Sequence, residues 1–288
     1  MKLGVIGSPI EHSKSPEIHT SFANQFDLDL VFDKYLVDKD ECLEWVKSFF
    51  EGGGLGLSVT LPLKELVLEI ADDVSLRAKQ AAAANMLFLK EGKIFADCTD
   101  GLGLVTDLKT KNVDIADKKI LILGAGGAAK GIVPSILNEN PKQVIVANRT
   151  PEKAIRLVAQ IQELGGSQMK SSILMPSSLT LDNLENTSFD LVINATSAST
   201  SLDQNLEVDS SIFKDAAVAL DLYYSQTDTL FMQMAKEQSV VKVYDGWGML
   251  VEQAAESFSQ WTGFKPDTTG LLESVSYTHL TLPTKRIV

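Results

Sequence analysis

Three short segments carry amine, carboxylate and hydroxyl groups at places where a fold of alternating helices and strands would expose them together. In Ser58-Val-Thr60-Leu-Pro62-Leu-Lys64 a strand ends, Pro62 stops further pairing, and Lys64 follows at the rim of a parallel sheet, where ligands of open α/β sheets gather. A lone lysine is ordinarily a solvated charge. A partly desolvated one with a lowered pKa can instead move the proton of an alcohol while a hydride leaves its carbon. In Ala96-Asp97-Cys98-Thr99-Asp100-Gly101, Asp100 stands just before a helix, so it reads equally as an N-cap or as an acid/base partner. Lys64 and Asp100 together offer one substrate hydroxyl a donor and an acceptor. Near the amino terminus, Gly7-Ser-Pro-Ile-Glu-His12-Ser13-Lys14-Ser15-Pro16 places two hydroxyls, Ser13 and Ser15, before a helix. They read as caps or as a pair that holds a carboxylate. His12 and His19 have no acid partner in sequence, which favours surface or packing roles.

A hydride reaction needs a carrier, and Lys118 to Thr150 reads as strand, glycine turn, helix, strand. The apolar run Ile120-Leu121-Ile122-Leu123 suits a buried parallel strand. It runs into Gly124-Ala-Gly126-Gly127-Ala128-Ala129-Lys-Gly131. Gly124 suits the tight turn, Gly126 the close approach of a pyrophosphate, and Ala129 the contact of helix with strand. Amides at the helix start then face phosphates. The next strand, Gln143 to Ala147, ends at Asn148, Arg149 and Thr150. No acidic residue stands there for a ribose 2′-hydroxyl. A guanidinium beside two small polar groups favours a 2′-phosphate, hence NADP over NAD. Otherwise Arg149 is a surface residue opening the helix at Pro151.

At 288 residues and 44% hydrophobic the chain has material for one large or two modest cores. A formal net charge of -12 argues against nucleic acid or anionic membrane as partners. The expectation is a small-molecule substrate, no metal, and a monomer or homodimer. Two cysteines and three histidines provide neither a disulfide framework nor a zinc cluster. Cys42 on an amphipathic helix reads as core, as do the Phe and Met residues. No apolar run spans a bilayer and the chain enters a strand at Lys2, so a soluble cytoplasmic protein is expected.

The elements that must position these groups alternate: strand Lys2 to Gly7, helix Ser15 to Gln25, strand Asp33 to Val37, helix Lys39 to Phe50, strand Leu55 to Val59. Such βαβ units imply an α/β protein with a mainly parallel sheet. Further strands are expected at Asp190 to Asn194 and Ala217 to Leu222, and a long helix at Met249 to Thr262. Glycine-containing linkers at Asp100-Gly101 and Asp245-Gly246 suggest a discontinuous first domain, 1–100 plus 247–274, around a Rossmann-type doubly wound domain, 101–246. Val275 to Thr284 resembles one reading frame of a common transposase sequencing adapter. Residues 275–288 are therefore expected to be a non-native tail, an expectation that the same codons at the source locus would contradict.

Several segments together resemble the shikimate dehydrogenase family from Gly4 to about Asp267. They are His-Ser13-Lys-Ser15-Pro, Val59-Thr60-Leu-Pro-Leu-Lys64, Ala84-Asn85, Thr99-Asp100-Gly101, GAGGAAKG, Asn148-Arg149-Thr150, Asn194-Ala-Thr196-Ser197 and Asp245-Gly-Trp-Gly-Met249-Leu-Val-Glu-Gln253-Ala. The resemblance implies a two-domain enzyme that reduces 3-dehydroshikimate to shikimate with NADPH. It implies Lys64 as acid/base paired with Asp100, and Ser13, Ser15, Thr60 and Tyr224 around the substrate carboxylate. Lys64, Asn85, Asp100 and Gln253 would surround the ring hydroxyls. The cofactor would meet Gly124, Gly126, Gly127, Ala128, Asn148, Arg149, Thr150 and Thr196, with the nicotinamide near Leu222, Gly246 and Met249. Ser58 stands where the family commonly has Asn, Met86 where it has Thr, Cys98 where it has Asn, and Ala198-Ser199-Thr200 where it has a glycine. These departures point to a divergent subgroup whose substrate is shikimate, quinate or a related ring acid. The family's closing helix, expected after Gly263 to Asp267, is mostly missing. A ligand-binding regulator on the same fold is the reading from another class, which an intact Lys64–Asp100 pair disfavours.

Overall fold

Two six-stranded sheets, each flanked by helices, build the chain in a computed structural model that describes residues 1–165, 173–179, 184, 187–196 and 208–273. The first sheet has the order β2-β1-β3-β5-β6-β4. Its strands are β1 (Lys2–Gly7), β2 (Val31–Leu36), β3 (Gly56–Val59), β4 (Asp73–Val74), β5 (Met86–Lys90) and β6 (Lys93–Asp97). β1 sits inside the sheet with Leu3, Val5 and Ile6 buried, which explains its continuous apolar run. Helices α1 (Ser15–Asn24), α2 (Cys42–Glu51) and α3 (Leu76–Ala81) belong to this half.

The sheet is parallel where βαβ units build it, β1 with β2 and β3, and β4 with β6. β5, by contrast, runs antiparallel to both β3 and β6. Toward β6 the reason is local. Glu91 and Gly92 both have positive φ (54° and 78°), the backbone of a tight two-residue hairpin turn, so no crossover helix intervenes.

Helix α4 (Asp100–Thr110) leads into the second sheet, whose order is β12-β11-β10-β7-β8-β9. The strands are β7 (Lys119–Leu123), β8 (Gln143–Asn148), β9 (Leu174–Ser178), β10 (Leu191–Asn194), β11 (Val218–Asp221) and β12 (Lys242–Tyr244). All pair in parallel. Helices α5 (Gly127–Asn138), α6 (Pro151–Gly165) and α7 (Leu230–Glu237) connect them. Numbered from β7, this is the 3-2-1-4-5-6 order of a Rossmann fold, with its switch point between β7 and β10.

Helix α8 (Trp247–Thr262) then returns to the first sheet. Its Val251, Ala254, Ala255 and Phe258 pack on Ile18, Phe22 and Ala23 of α1. Burying one side chain such as Phe22 or Phe258 contributes about 1.5–3 kcal/mol. Among the described residues no helix is long and apolar enough to cross a membrane.

His19 lies in this core with no accessible surface. Its ring stacks on Phe32 at 4.4 Å, beside Trp261, and neither ring nitrogen has a hydrogen-bond partner. Burial pushes its pKa down to about 3. The unfolded chain therefore takes up a proton below about pH 6.5 that the folded chain refuses, so stability falls as pH drops through that range. Between pH 7 and pH 5 this loss is about 2 kcal/mol. His19→Leu, close in volume, is expected to remove that part of the acid sensitivity. Urea midpoints at the two pH values check it; an unchanged difference would show that His19 takes its proton without unfolding.

Candidate active site

The carboxyl ends of β1, β3, β7, β8, β10 and β11 converge on one cleft of about 1110 Å³ between the two sheets. Every residue singled out from sequence as acid/base, substrate-binding or cofactor-binding lines it. On the first-sheet side these are Ser13, Ser15, Thr60, Lys64, Asn85 and Asp100; Gln253 enters from α8. On the second-sheet side they are the Gly124–Ala128 turn, Asn148, Arg149, Thr150, Thr196, Leu222, Tyr224, Gly246 and Met249.

Lys64 follows the turn after β3, and its Nζ donates to Asp100 Oδ2 at 2.5 Å. Asp100 is the first residue of α4 and not its cap, which is Thr99. The Asn85 amide donates to the other Asp100 oxygen at 2.9 Å and to Gln253 Oε1 at 3.0 Å. Both carboxylate oxygens thus accept from fixed donors. Burial pulls the pKa of Lys64 down, but the Asp100 carboxylate and its hydrogen bond outweigh that and leave it raised. The lowered lysine expected from sequence is therefore corrected: an anion in direct contact stabilises the ammonium more than desolvation penalises it. Cys98, one neighbour of this pair, is a neutral thiol pushed up to about 12, mainly by burial, with Asp100 adding to the shift and Lys64 opposing it.

The hydroxyls of Ser13 and Ser15 lie 3.2 Å apart. Ser15 is the first residue of α1, whose cap position is Lys14, so Ser15 does not cap. Across the cleft, Tyr224 donates its hydroxyl to the His12 carbonyl at 3.0 Å. The loops bearing Thr196 and Leu222 to Tyr224 are held from below by buried polar groups. Asn194 Oδ1 accepts from the Thr196 amide at 3.1 Å. Asp221 accepts from Asn194 at 3.1 Å, from Thr229 at 2.7 Å and from the Tyr223 amide at 3.1 Å.

The dinucleotide side fits its expected ligand. Gly124 has φ +103°, and a Cβ there would lie 2.9 Å from the Ala195 carbonyl oxygen, so only glycine makes this turn. Nothing lies within 4 Å of where a Cβ on Gly126 would be, which leaves its backbone open to a phosphate at the start of α5. Asn148 closes the turn into α6 by donating to the Thr150 carbonyl at 2.9 Å. Arg149 is exposed at the end of β8. Lys153, one turn into α6, lines the same end of the cleft. Sequence reading passed over Lys153, although its spacing from Arg149 was the available signal. It also passed over Tyr223 and gave Thr99 no role. Of the departures, Ser58 lines the cleft and sits in register with buried Met86. Ser197, the Ala198-Ser199-Thr200 loop and residues 275–288 lie outside the described residues.

A Rossmann-type sheet whose phosphate turn faces a lysine–carboxylate pair across one cleft defines the class: a pyridine-nucleotide dehydrogenase acting on an alcohol or ketone. Residues 5–87 match the shikimate dehydrogenase substrate binding domain, 107–223 the shikimate / quinate 5-dehydrogenase domain and 246–275 the shikimate 5'-dehydrogenase C-terminal domain. The chain is 41% identical over 272 residues to the shikimate dehydrogenase (NADP(+)) of Colwellia psychrerythraea, covering 94% of each. It is 40% identical over 273 residues to that of Cellvibrio japonicus, covering 94% of this chain and 95% of the relative. Among solved structures it resembles an Ael1 enzyme from Pseudomonas putida (TM-score 0.85, 36% identity, 99% of each chain). It also resembles shikimate 5-dehydrogenase from Thermus thermophilus in complex with NADP(H) and shikimate (TM-score 0.83, 28% identity, 96% of this chain and 99% of that one). The chain belongs to the shikimate dehydrogenase family.

Proposed function

We propose that this protein reduces 3-dehydroshikimate to shikimate with NADPH, reversibly, as a step of aromatic amino acid biosynthesis. The observation that carries the reading is the Lys64–Asp100 pair, 2.5 Å apart, on the wall of the cleft that also holds the glycine turn and Arg149. Bound NADPH supplies the hydride.

The chain's own residues do the rest. Ser13, Ser15, Thr60 and Tyr224 hold the carboxylate; Asn85 and Gln253 hold ring hydroxyls. In reduction the Lys64 ammonium gives its proton to the carbonyl oxygen as the carbon becomes tetrahedral. In oxidation the Lys64 amine takes that proton back. Asp100 keeps the ammonium charged and orients it. Gly124, Gly126, Gly127 and Ala128 would receive the pyrophosphate, Asn148, Arg149, Thr150 and Lys153 the 2′-phosphate, Thr196 would line the cofactor side of the cleft, and Leu222, Gly246 and Met249 would flank the nicotinamide end. Closure of the cleft around both ligands would exclude water from the transferring hydride.

The same reading divides the chain into a substrate-binding part, 1–100 plus 247–274, and an NADP-binding part, 101–246, with 275–288 non-native. It places a monomer or homodimer in the cytoplasm, working on a small molecule and not on nucleic acid.

Ser58 favours a second reading of the substrate. It is buried in the cleft wall with no hydrogen-bond partner among the described residues, so a ring acid with a different hydroxyl pattern, such as quinate, has a group to meet. Initial rates at 340 nm with shikimate or quinate against NADP or NAD decide between the two. Turnover confined to shikimate with NADP supports the first; faster turnover of quinate replaces it with the second.

A further inference from the structure

Taking Lys64 and Asp100 as the proton-transfer pair, we infer that Thr99 is a positioning residue for the reaction. Its hydroxyl, together with that of Ser257, fixes the side-chain amide of Asn85 and the α8 backbone at Gln253 beside Asp100. Thr99 has no accessible surface and Ser257 is 1% exposed. Neither lines the cleft, so any effect on the reaction passes through the residues they hold.

Thr99 lies where the elements bearing the site residues meet, after β6, before α4 and against α8. Its Oγ1 accepts from Asn85 Nδ2 at 2.9 Å, donates toward the Gln253 carbonyl at 3.1 Å, and lies 3.1 Å from Ser257 Oγ. Ser257 in turn donates to the Gln253 carbonyl at 3.0 Å. A hydroxyl has one proton to give. With Asn85 donating to Thr99, the Thr99 proton goes to α8, directly to the Gln253 carbonyl or by way of Ser257. The chain of bonds therefore has a direction, from the Asn85 amide to the backbone of α8.

That direction matters at Asp100. The Thr99 amide donates to Asn85 Oδ1 at 2.7 Å, and the Thr99 hydroxyl accepts from Asn85 Nδ2. The two contacts specify which end of the Asn85 amide faces which way. Only in this orientation does Asn85 present N–H, and not a carbonyl, to Asp100 Oδ1 at 2.9 Å, its two N–H groups being shared among Thr99 Oγ1, Asp100 Oδ1 and Gln253 Oε1. The flipped amide would set its oxygen against the carboxylate and leave the Thr99 amide unpaired in a buried site, a doubly costly arrangement. With Oδ1 held by Asn85, Oδ2 is left for Lys64. One turn along α4, a Cβ on Gly103 would lie 2.6 Å from the Gln253 amide nitrogen. The two helices are in backbone contact there, so α8 has no slack to absorb an error in the network.

The experiment compares Thr99→Val, which keeps shape and loses the hydroxyl, with Thr99→Ser, which keeps the hydroxyl. Both are assayed beside wild type in shikimate oxidation, with kcat expressed per folded site from NADPH binding. Thr99→Val is expected to lower kcat about 10- to 100-fold, the cost of misplacing reacting groups by a fraction of an ångström to an ångström. It should also raise KM for shikimate and leave KM for NADP unchanged. Thr99→Ser is expected to stay within about threefold of wild type. A purely structural role would lower the folded fraction and move neither constant. Should Thr99→Val not fold, Ser257→Ala decides: a raised shikimate KM at constant NADP KM supports the inference. Wild-type constants per folded site, in Thr99→Val or in Ser257→Ala standing in for it, overturn the inference. If wild type itself fails to oxidise shikimate, the reading beneath the inference fails with it.

Discussion

Lys64→Ala is expected to lower kcat by about 10²- to 10⁴-fold, the usual worth of a positioned acid/base, while shikimate still binds. The size follows from the site. Among the described residues Lys64 is the one cation in contact with Asp100, and its ammonium stands in the cleft with the proton that the reacting oxygen needs. Removing it also leaves Asp100, 5% exposed, without its counter-ion, so some loss of stability accompanies the loss of rate. Lys64→Arg separates the two effects. A guanidinium restores the charge but holds its proton too tightly to exchange it, so stability should return and turnover should not.

The raised pKa of Lys64 sets the sign of the pH dependence. The free enzyme holds an ammonium through neutral pH. Reduction, which uses the ammonium, should stay level there and decline only as pH rises through the raised pKa. Oxidation, which uses the amine, should climb with pH over the same range. Lys64→Ala should remove both limbs from kcat/KM. A pure KM effect in Lys64→Ala, with kcat intact, would show that Lys64 binds substrate and transfers no proton.

Arg149→Ala is the second large effect, and it falls on cofactor choice. Arg149 stands exposed at the end of β8, beside Asn148 and Thr150, where no carboxylate replaces it. A charge-assisted hydrogen bond to phosphate contributes about 1.5–3 kcal/mol. The ratio of kcat/KM for NADP over NAD should therefore fall by roughly 10- to 100-fold, carried by KM for NADP. Lys153 remains at the same end of the cleft, so the preference should narrow and not invert. An unchanged ratio would move the 2′-phosphate elsewhere.

Much of this was legible in sequence because the chemistry sits at strand ends. Lys2–Gly7 reads as a strand from its apolar run, and the glycine turn after β7 has a fixed spacing and a fixed steric demand at Gly124. The cleft residues fall beside such punctuation, at Pro62, Asp100-Gly101 and Asp245-Gly246. The β5–β6 hairpin was not legible, because Glu91-Gly92 is a weak turn signal and β5 is too apolar to show alternation. The state of Lys64 was hidden for another reason. Burial and a carboxylate contact act on its pKa in opposite directions, and only the 2.5 Å separation from Asp100, 36 residues away, says which prevails. The Thr99–Ser257 contact spans 158 residues, and no local pattern announces such a pair.

The most direct measurement of the central claim follows a label. Enzyme is given 3-dehydroshikimate and NADPH deuterated at the transferable position of the nicotinamide ring, and the product is weighed by mass spectrometry. The expected product is shikimate carrying a single deuterium on the new carbinol carbon, its hydroxyl proton exchanging with water by way of Lys64. Shikimate without deuterium, or no shikimate from folded enzyme, would contradict direct hydride transfer across this cleft.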